Sequence, residues 1–130
     1  MIVLDTHVVL WLGESPEKVS LPAKRAIQEL ESKGQKLIIA GQSLYEIAWG
    51  VVRGRILSSL PVEELLAEVE RRFIVRPLTP QIALAAAQLP TSFPSDPFDR
   101  IIAATAIVER IPLLTVDQNI RRSRALRTIW

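Results

Sequence analysis

Four short apolar segments, separated by longer stretches with helical character, constrain the fold of this chain most strongly. They cover residues 1–4, 37–40, 73–76 and 112–116, with residues 126–130 as a candidate fifth. Short apolar runs without polar alternation are typical of strands buried on both faces, and their alternation with helices favours parallel pairing. The sequence therefore predicts an α/β fold with a central, mostly parallel sheet of four or five strands flanked by helices.

Helix start and stop signals assign the intervening sequence to helices. Proline near the start of a segment and glycine after its end, as at Pro22 and Gly34, are typical helix boundaries. The predicted helices cover residues 6–12, 20–33, 42–53, 59–71, 79–89 and 96–110. No internal repeat or long linker interrupts this alternation, so residues 1–130 are predicted to form a single domain.

The absence of cysteine and the single histidine exclude several kinds of site. The chain has no cysteine for a disulfide, a thiolate zinc site or a nucleophile, and His7 alone cannot make a two-histidine nuclease. No apolar run is long enough to span a membrane, and no charged segment precedes the apolar start. We therefore predict a cytoplasmic protein without a signal peptide or a membrane helix.

Charge is distributed unevenly, although the net charge is only +2. Residues 1–70 carry 7 basic and 10 acidic side chains, a balance of −3, whereas residues 71–130 carry 9 basic and 4 acidic, a balance of +5. A basic surface around an acidic pocket suits a polyanion whose phosphate is held by a metal ion. A solvated, arginine-rich surface explains the same charge equally well.

Four carboxylates stand where a predicted strand ends or a predicted helix begins: Asp5, Glu46, Asp99 and Asp117. In an open α/β sheet, ligands bind beyond the carboxyl ends of the strands. Acids gathered there repel one another unless a cation lies between them, and Mg²⁺ or Mn²⁺ is the usual partner of an all-oxygen site. This pattern predicts a metal site that these acids form together.

Each acid also has a local explanation. Asp5 suits a helix N-cap, Glu46 suits a solvated helix face that it shares with Ser43, and Asp117 suits an Asx turn. Asp96, which precedes a proline, favours a cap over a ligand, whereas Asp99 falls in the first helical turn.

Three polar neighbours of these acids are candidates for supporting roles. Thr6, Thr115 and Asn119 could hydrogen-bond a ligand or only the local backbone. His7 is predicted to pack or to face solvent, without a role in catalysis.

Several segments together resemble the PIN domain, and more closely toxins of the VapC type from toxin–antitoxin pairs. The matching segments cover residues 4–11, 43–48, 96–106 and 113–117, in the order typical of the family. Residues 96–100, with the sequence Asp-Pro-Phe-Asp-Arg, are typical of one branch of these toxins.

The resemblance implies a PIN-like fold, RNA cleavage dependent on Mg²⁺ or Mn²⁺, homodimers, and inhibition by a small antitoxin. The catalytic and metal-binding acids of the family then correspond to Asp5, Glu46, Asp99 and Asp117, with Asp96 as an additional acid near the metal. Gln118 and Asn119 follow Asp117 where many relatives carry another acid, so the number of metal ions stays open. The candidate contacts to the RNA backbone are Arg53, Arg100, Arg121, Arg122 and Arg124.

Two other functions remain as alternatives. A non-catalytic PIN-like module would bind RNA or protein with the same fold. A receiver-like Mg²⁺-binding signalling domain would need an acidic pair at the first strand and a late lysine, but Asp5 stands alone and no lysine follows Lys36.

Overall fold

The computed structural model describes residues 1–130 as short strands separated by helices. The strands are β1 Val3–Leu4, β2 Ile38–Ala40, β3 Ile74–Arg76, β4 Leu113–Leu114 and β5 Thr128–Ile129. The helices are α1 Thr6–Glu14, α2 Leu21–Ser32, α3 Gly41–Val52, α4 Val62–Arg72, α5 Pro80–Ala87, α6 Pro97–Glu109 and α7 Gln118–Ser123, and a 3₁₀ turn covers Pro16–Lys18. At least one helix lies between consecutive strands, as parallel pairing requires.

All five strands pair in parallel, in the order β3-β2-β1-β4-β5. Val3 in β1 is in register with Ile38 of β2 on one side and with Leu113 of β4 on the other. The chain builds the sheet outward from β1 to β3 and then returns to the other side of β1. This change of direction places a switch point at the carboxyl end of β1, where open α/β sheets bind ligands.

Side chains of the central strands alternate between two apolar clusters, one on each face of the sheet. Leu4 belongs to the cluster that includes Val8 and Ile47 from α1 and α3, whereas Val3 packs with Ile102 and Ile120 from α6 and α7. This alternation is the two-residue period of a strand with helices on both faces. The central strands are thereby fully buried, as the apolar runs predicted.

The structure differs from the sequence-based prediction mainly after β4. Residues 118–123 form α7, which was not predicted, because Ile120 is its only buried residue and so few apolar positions leave no helical period to detect. Asp117 caps this helix in place of the predicted isolated turn. The strands are also shorter than the apolar runs, because pairing in β1, β2 and β3 begins one or two residues after the start of each run and β4 ends at Leu114.

No helix in the structure is both long enough and apolar enough to cross a membrane.

Candidate active site

Four segments bring the predicted acids to the carboxyl edge of the sheet. Asp5 directly follows β1, and Asp117 follows β4, the neighbour of β1. Glu46 lies in the second turn of α3, which begins directly after β2, and Asp99 lies in the first turn of α6. The side chains are therefore grouped by the strand order although their positions in the sequence are far apart.

Asp5 is the most deeply buried of these acids, with only 5% of the residue exposed. Its Oδ1 accepts a hydrogen bond from the Thr6 backbone N–H at 2.8 Å, which makes Asp5 the N-cap of α1. Its Oδ2 accepts a hydrogen bond from the Thr115 hydroxyl at 2.6 Å. Each oxygen keeps one further lone pair, so the predicted capping role and a role as a ligand are compatible.

Thr6 connects the first acid to the second. Its backbone N–H contacts Asp5, and its Oγ1 donates to Oε1 of Glu46 at 2.7 Å. The same Oγ1 lies 2.9 Å from Oγ of Ser43, a fully buried residue of α3. Sequence reasoning placed Ser43 on the face of Glu46 but did not detect this contact, because Thr6 lies in a different helix.

Burial and mutual repulsion raise the pKa values of two acids. Desolvation and then the charge of Asp5, followed by those of Asp96, Asp117 and Glu46, raise the pKa of Asp99 from 3.8 to about 7. Desolvation also raises the pKa of Glu46, while the hydrogen bond from Thr6 lowers it and the charge of Asp5 raises it. The acids are thus close enough to act on one another, and a cation among them would relieve the repulsion.

Asp96 and Asp117 both act as helix caps. Asp96 is exposed, and its Oδ1 accepts hydrogen bonds from the N–H groups of Phe98 at 2.8 Å and Asp99 at 3.2 Å. Asp117 Oδ1 accepts hydrogen bonds from the N–H groups of Asn119 at 2.8 Å and Ile120 at 3.2 Å.

Thr115 joins two of the acids from β4. Its hydroxyl donates to Asp5 and accepts a hydrogen bond from the Asp117 N–H at 3.1 Å. Thr115 is fully buried, so its predicted supporting role has a geometric basis. Asn119 is exposed on α7, and its backbone N–H takes part in the cap of that helix.

Comparison with known proteins identifies the fold family. The sequence pattern of the PIN domain matches residues 2–126. The chain belongs to the PIN domain family. It is also 36% identical over 131 residues to Ribonuclease VapC22 of Mycobacterium tuberculosis (strain ATCC 25618 / H37Rv). The alignment covers 99% of this chain and 98% of that protein. The predicted membership of the PIN family, and its VapC type, are confirmed.

Solved PIN-domain structures share this fold at low sequence identity. VapBC2 from Rickettsia felis, bound to a DNA fragment from its promoter, superposes with a TM-score of 0.70 at 19% identity and covers 98% of this chain and 97% of that chain. VapBC-1 from nontypeable Haemophilus influenzae gives a TM-score of 0.69 at 20% identity, covering 98% and 96%. The predicted α/β class with its central parallel sheet is confirmed.

The donor set of this PIN domain fits a hard divalent cation. Asp5, Glu46, Asp99 and Asp117 supply only carboxylate oxygens, the ligands that Mg²⁺ and Mn²⁺ prefer. No three or more acidic or histidine side chains lie close enough together to coordinate one metal ion by themselves. Mg²⁺ does not need such a cluster, because it keeps several waters and binds through one or two carboxylates together with substrate phosphate.

Arg100 has a structural role in place of the predicted phosphate contact. Its guanidinium donates hydrogen bonds to the carbonyls of Leu89, Pro90, Phe93 and Pro94 at 2.9–3.2 Å. These four bonds use most of its five N–H donors and fix the loop that leads into α6. Sequence reasoning missed this role because the four acceptors are backbone groups of a loop without a recognisable pattern.

We expect Arg100→Ala to lower the free energy of unfolding by about 2 kcal/mol, since it leaves loop carbonyls without their charged donor. Urea denaturation would measure the change. Arg25→Ala, at an exposed position on α2, is the matched control and should change the stability by less than about 0.5 kcal/mol. An equal effect of the two substitutions would contradict the structural role of Arg100.

The other predicted RNA contacts remain exposed on the surface. The guanidinium groups of Arg53 and Arg55 lie 4.6 and 4.9 Å from the centre of the Trp49 ring, and each makes a cation–π contact with it. Arg121, Arg122 and Arg124 line an open polar depression beside α7. Because α7 begins directly after Asp117, these arginines follow that acid within seven residues of the chain.

Proposed function

We propose that this protein is a Mg²⁺- or Mn²⁺-dependent endoribonuclease and the toxin of a toxin–antitoxin pair. The observation that carries the proposal is the grouping of Asp5, Glu46, Asp96 and Asp117 around Asp99, whose pKa is raised to about 7 first by burial and then by the charges of these four acids. The extended similarity to Ribonuclease VapC22 supports RNA as the substrate. The receiver alternative does not agree with the PIN family, whereas a non-catalytic PIN module remains the competing hypothesis.

We propose a role for each acid in the hydrolysis of a phosphodiester. Asp5 and Asp99 would hold the cation, with Glu46 and Asp117 holding it or its waters. When bound, a divalent ion lowers the pKa of a coordinated water and offsets negative charge on the phosphate. Thr6 and Thr115 keep the Asp5 carboxylate in a fixed orientation through both of its oxygens.

We propose that Glu46 takes a proton from the attacking water. Its Oε1 is engaged by Thr6, which leaves Oε2 as the oxygen available to accept that proton. Burial raises the pKa of Glu46 toward neutral pH, and a general base works best when its pKa lies near the working pH. Water attack with cleavage of the P–O3′ bond leaves a 5′-phosphate and a 3′-hydroxyl, whereas a 2′,3′-cyclic phosphate would contradict this mechanism.

An antitoxin and a second copy of the chain are the proposed protein partners. Solved structures with this fold include VapBC2 from Rickettsia felis, VapBC-1 from nontypeable Haemophilus influenzae and a toxin–antitoxin complex from Klebsiella pneumoniae. A basic residue of the antitoxin would neutralise the acidic site as a metal ion does. Light scattering of the purified protein would test the predicted homodimer.

A panel of structured and single-stranded RNAs incubated with Mg²⁺, Mn²⁺ or EDTA tests the nuclease directly. We expect cleavage that needs the metal and leaves 5′-phosphates. Glu70→Gln, which removes an exposed acid outside the site, is the matched control for substitutions of the site acids and should cleave as the wild type does. Metal-dependent RNA binding without cleavage would favour the non-catalytic module.

We expect replacement of Arg121, Arg122 and Arg124 by Gln to weaken RNA binding and to flatten its salt dependence. Loss of three phosphate contacts should reduce the slope of log K against log salt by about 2 for a single strand. Binding of a cleavage-deficient variant to RNA, measured at several salt concentrations, would give the slope.

A control triple variant at Arg25, Lys33 and Lys36 removes the same charge elsewhere. Lys33 and Lys36 lie between the end of α2 and the amino end of β2, and Arg25 is exposed on α2. Replacement of these three residues by Gln should leave the slope nearly unchanged. An equal loss of slope in both triple variants would contradict a specific basic surface beside α7.

A further inference from the structure

Ser43 lies in the first turn of α3, where the residue four positions earlier, Ile39, belongs to β2 and not to the helix. A serine or threonine deeper in a helix can bond the backbone carbonyl four residues earlier. Thr105 does this in α6, where its hydroxyl donates to the Ile101 carbonyl at 2.8 Å. Ser43 is fully buried, and the one hydrogen-bond partner of its side chain is Oγ1 of Thr6, 2.9 Å away in another helix.

The number of available protons fixes the direction of these bonds. Thr6 carries one hydroxyl proton, and its Oγ1 lies 2.7 Å from Oε1 of Glu46 and 2.9 Å from Oγ of Ser43. An ionised carboxylate only accepts, so the proton of Thr6 goes to Glu46. The contact between the two hydroxyls then requires Ser43 to donate its own proton to Thr6.

We infer that Ser43 is a positioning residue for the metal site, acting on Glu46 through the hydroxyl of Thr6. This inference rests on the proposed function. The three residues form a chain of hydrogen bonds, here called the hydroxyl chain, in which each bond polarises the next. Because the Thr6 N–H also holds Asp5, the hydroxyl chain sets the position of Glu46 relative to Asp5.

The hydroxyl chain also decides which oxygen of Glu46 faces the site. Thr6 occupies Oε1, so Oε2 is left for the metal or its waters. Without Ser43, the Thr6 hydroxyl loses the donor that fixes its rotation, and both acids are less well ordered for ligand binding. Residues that orient metal ligands in this way typically change metal affinity by about 10–100-fold when they are replaced.

A double-mutant cycle on Mn²⁺ binding tests the inference without RNA. Mn²⁺ affinity would be measured by calorimetry or electron paramagnetic resonance for wild type, Ser43→Ala, Thr6→Val and the double variant. We expect losses of about 3–10-fold for Ser43→Ala and about 10–100-fold for Thr6→Val. The double variant should match Thr6→Val, because Ser43 acts only through Thr6.

Conservative and control variants separate positioning from a general loss of packing. Thr6→Ser keeps the hydroxyl and should stay within about twofold of wild type in Mn²⁺ affinity. Thr105→Val removes a buried hydroxyl that bonds only the backbone and should leave Mn²⁺ affinity unchanged. Ser43→Cys keeps the shape with a weaker donor, and we expect its Mn²⁺ affinity to lie between those of wild type and Ser43→Ala. If Ser43→Ala does not fold, a lower Mn²⁺ affinity of Ser43→Cys than of wild type tests the same role.

Two results would overturn the hydroxyl chain. One is unchanged Mn²⁺ affinity in Ser43→Ala, and the other is a loss in the double variant equal to the product of the two single losses. A wild type that cleaves RNA and binds Mn²⁺ while Ser43→Ala behaves identically would overturn this inference alone. A wild type that neither binds Mn²⁺ nor cleaves RNA would overturn the proposed function and the inference with it.

Discussion

Asp5→Asn should abolish RNA cleavage, with a loss of at least about a thousandfold in kcat/KM, equivalent to about 4 kcal/mol of transition-state stabilisation. The amide keeps nearly the shape of the carboxylate and can still accept the Thr6 N–H, so α1 keeps its cap. It removes the negative charge that would bind the cation at the switch point of the sheet. Single-turnover cleavage with Mn²⁺ would measure the loss.

Thermal melting shows whether the Asp5→Asn protein is folded and whether it has lost its metal site. In EDTA its melting temperature should lie close to that of wild type. Added Mn²⁺ should stabilise the wild type, because a ligand that binds only the native state raises its stability, and should have little effect on Asp5→Asn. Cleavage at the wild-type rate, or an equal shift by Mn²⁺ in both proteins, would refute the assignment.

Asp99→Asn should stabilise the metal-free protein at pH 8 while destroying its response to metal. The pKa of Asp99 is raised from 3.8 to about 7, so the folded protein binds this proton more tightly than the unfolded chain does. The contribution of this proton to the free energy of unfolding is fully present below about pH 4 and is lost as the pH rises to about 7. Above that pH the native state carries a destabilising charge.

The size of the effect follows from the shift and from the partial exposure of Asp99. After allowance for solvent screening, we expect on the order of 1–2 kcal/mol, or about 3–6 °C in melting temperature. In EDTA, the difference between Asp99→Asn and wild type should be near zero at pH 4 and should grow to this value at pH 8. Mg²⁺ should reverse the order at pH 8 by stabilising only the wild type.

Glu70→Gln serves as the control for the pH dependence, because Glu70 is exposed and lies outside the acidic site. Its melting temperature should follow that of wild type at every pH. A difference between Asp99→Asn and wild type that does not change between pH 4 and pH 8 would contradict the raised pKa. Stabilisation of Asp99→Asn by Mg²⁺ would contradict its role as a ligand.

Local signals in the sequence predicted most of the fold. The cap at Asp96 with Pro97 fixes the start of α6, because a side-chain acceptor and a fixed backbone angle act within one turn. The apolar runs predicted β1, β2 and β4 for a similar reason, since burial on both faces makes every residue apolar, and they predicted β3 although that edge strand is only half-buried. Helix α7 escaped prediction because it is held by the Asp117 cap and a single buried side chain, Ile120.

The acids of the candidate site were also named from the sequence, but their protonation and hydrogen bonds were not. Asp5 is bonded to Thr115 across 110 residues, and Thr6 to Glu46 across 40. Such contacts depend on strand order, which local pattern does not encode. Arg100 shows the same limit, since its residue type suggested a phosphate contact while the folded loop uses its donors.

The sequence by itself determined where most strands end, which helices have a side-chain cap, and that Asp5, Asp96 and Asp117 stand at such points. Those features depend on interactions between neighbours in the chain. Only the tertiary structure decided that Asp99 is held with a raised pKa among four other acids, and that Ser43 bonds Thr6 and not its own helix. The physical reason is that desolvation and Coulomb repulsion depend on distance in space, which the parallel sheet sets when it places β1 between β2 and β4.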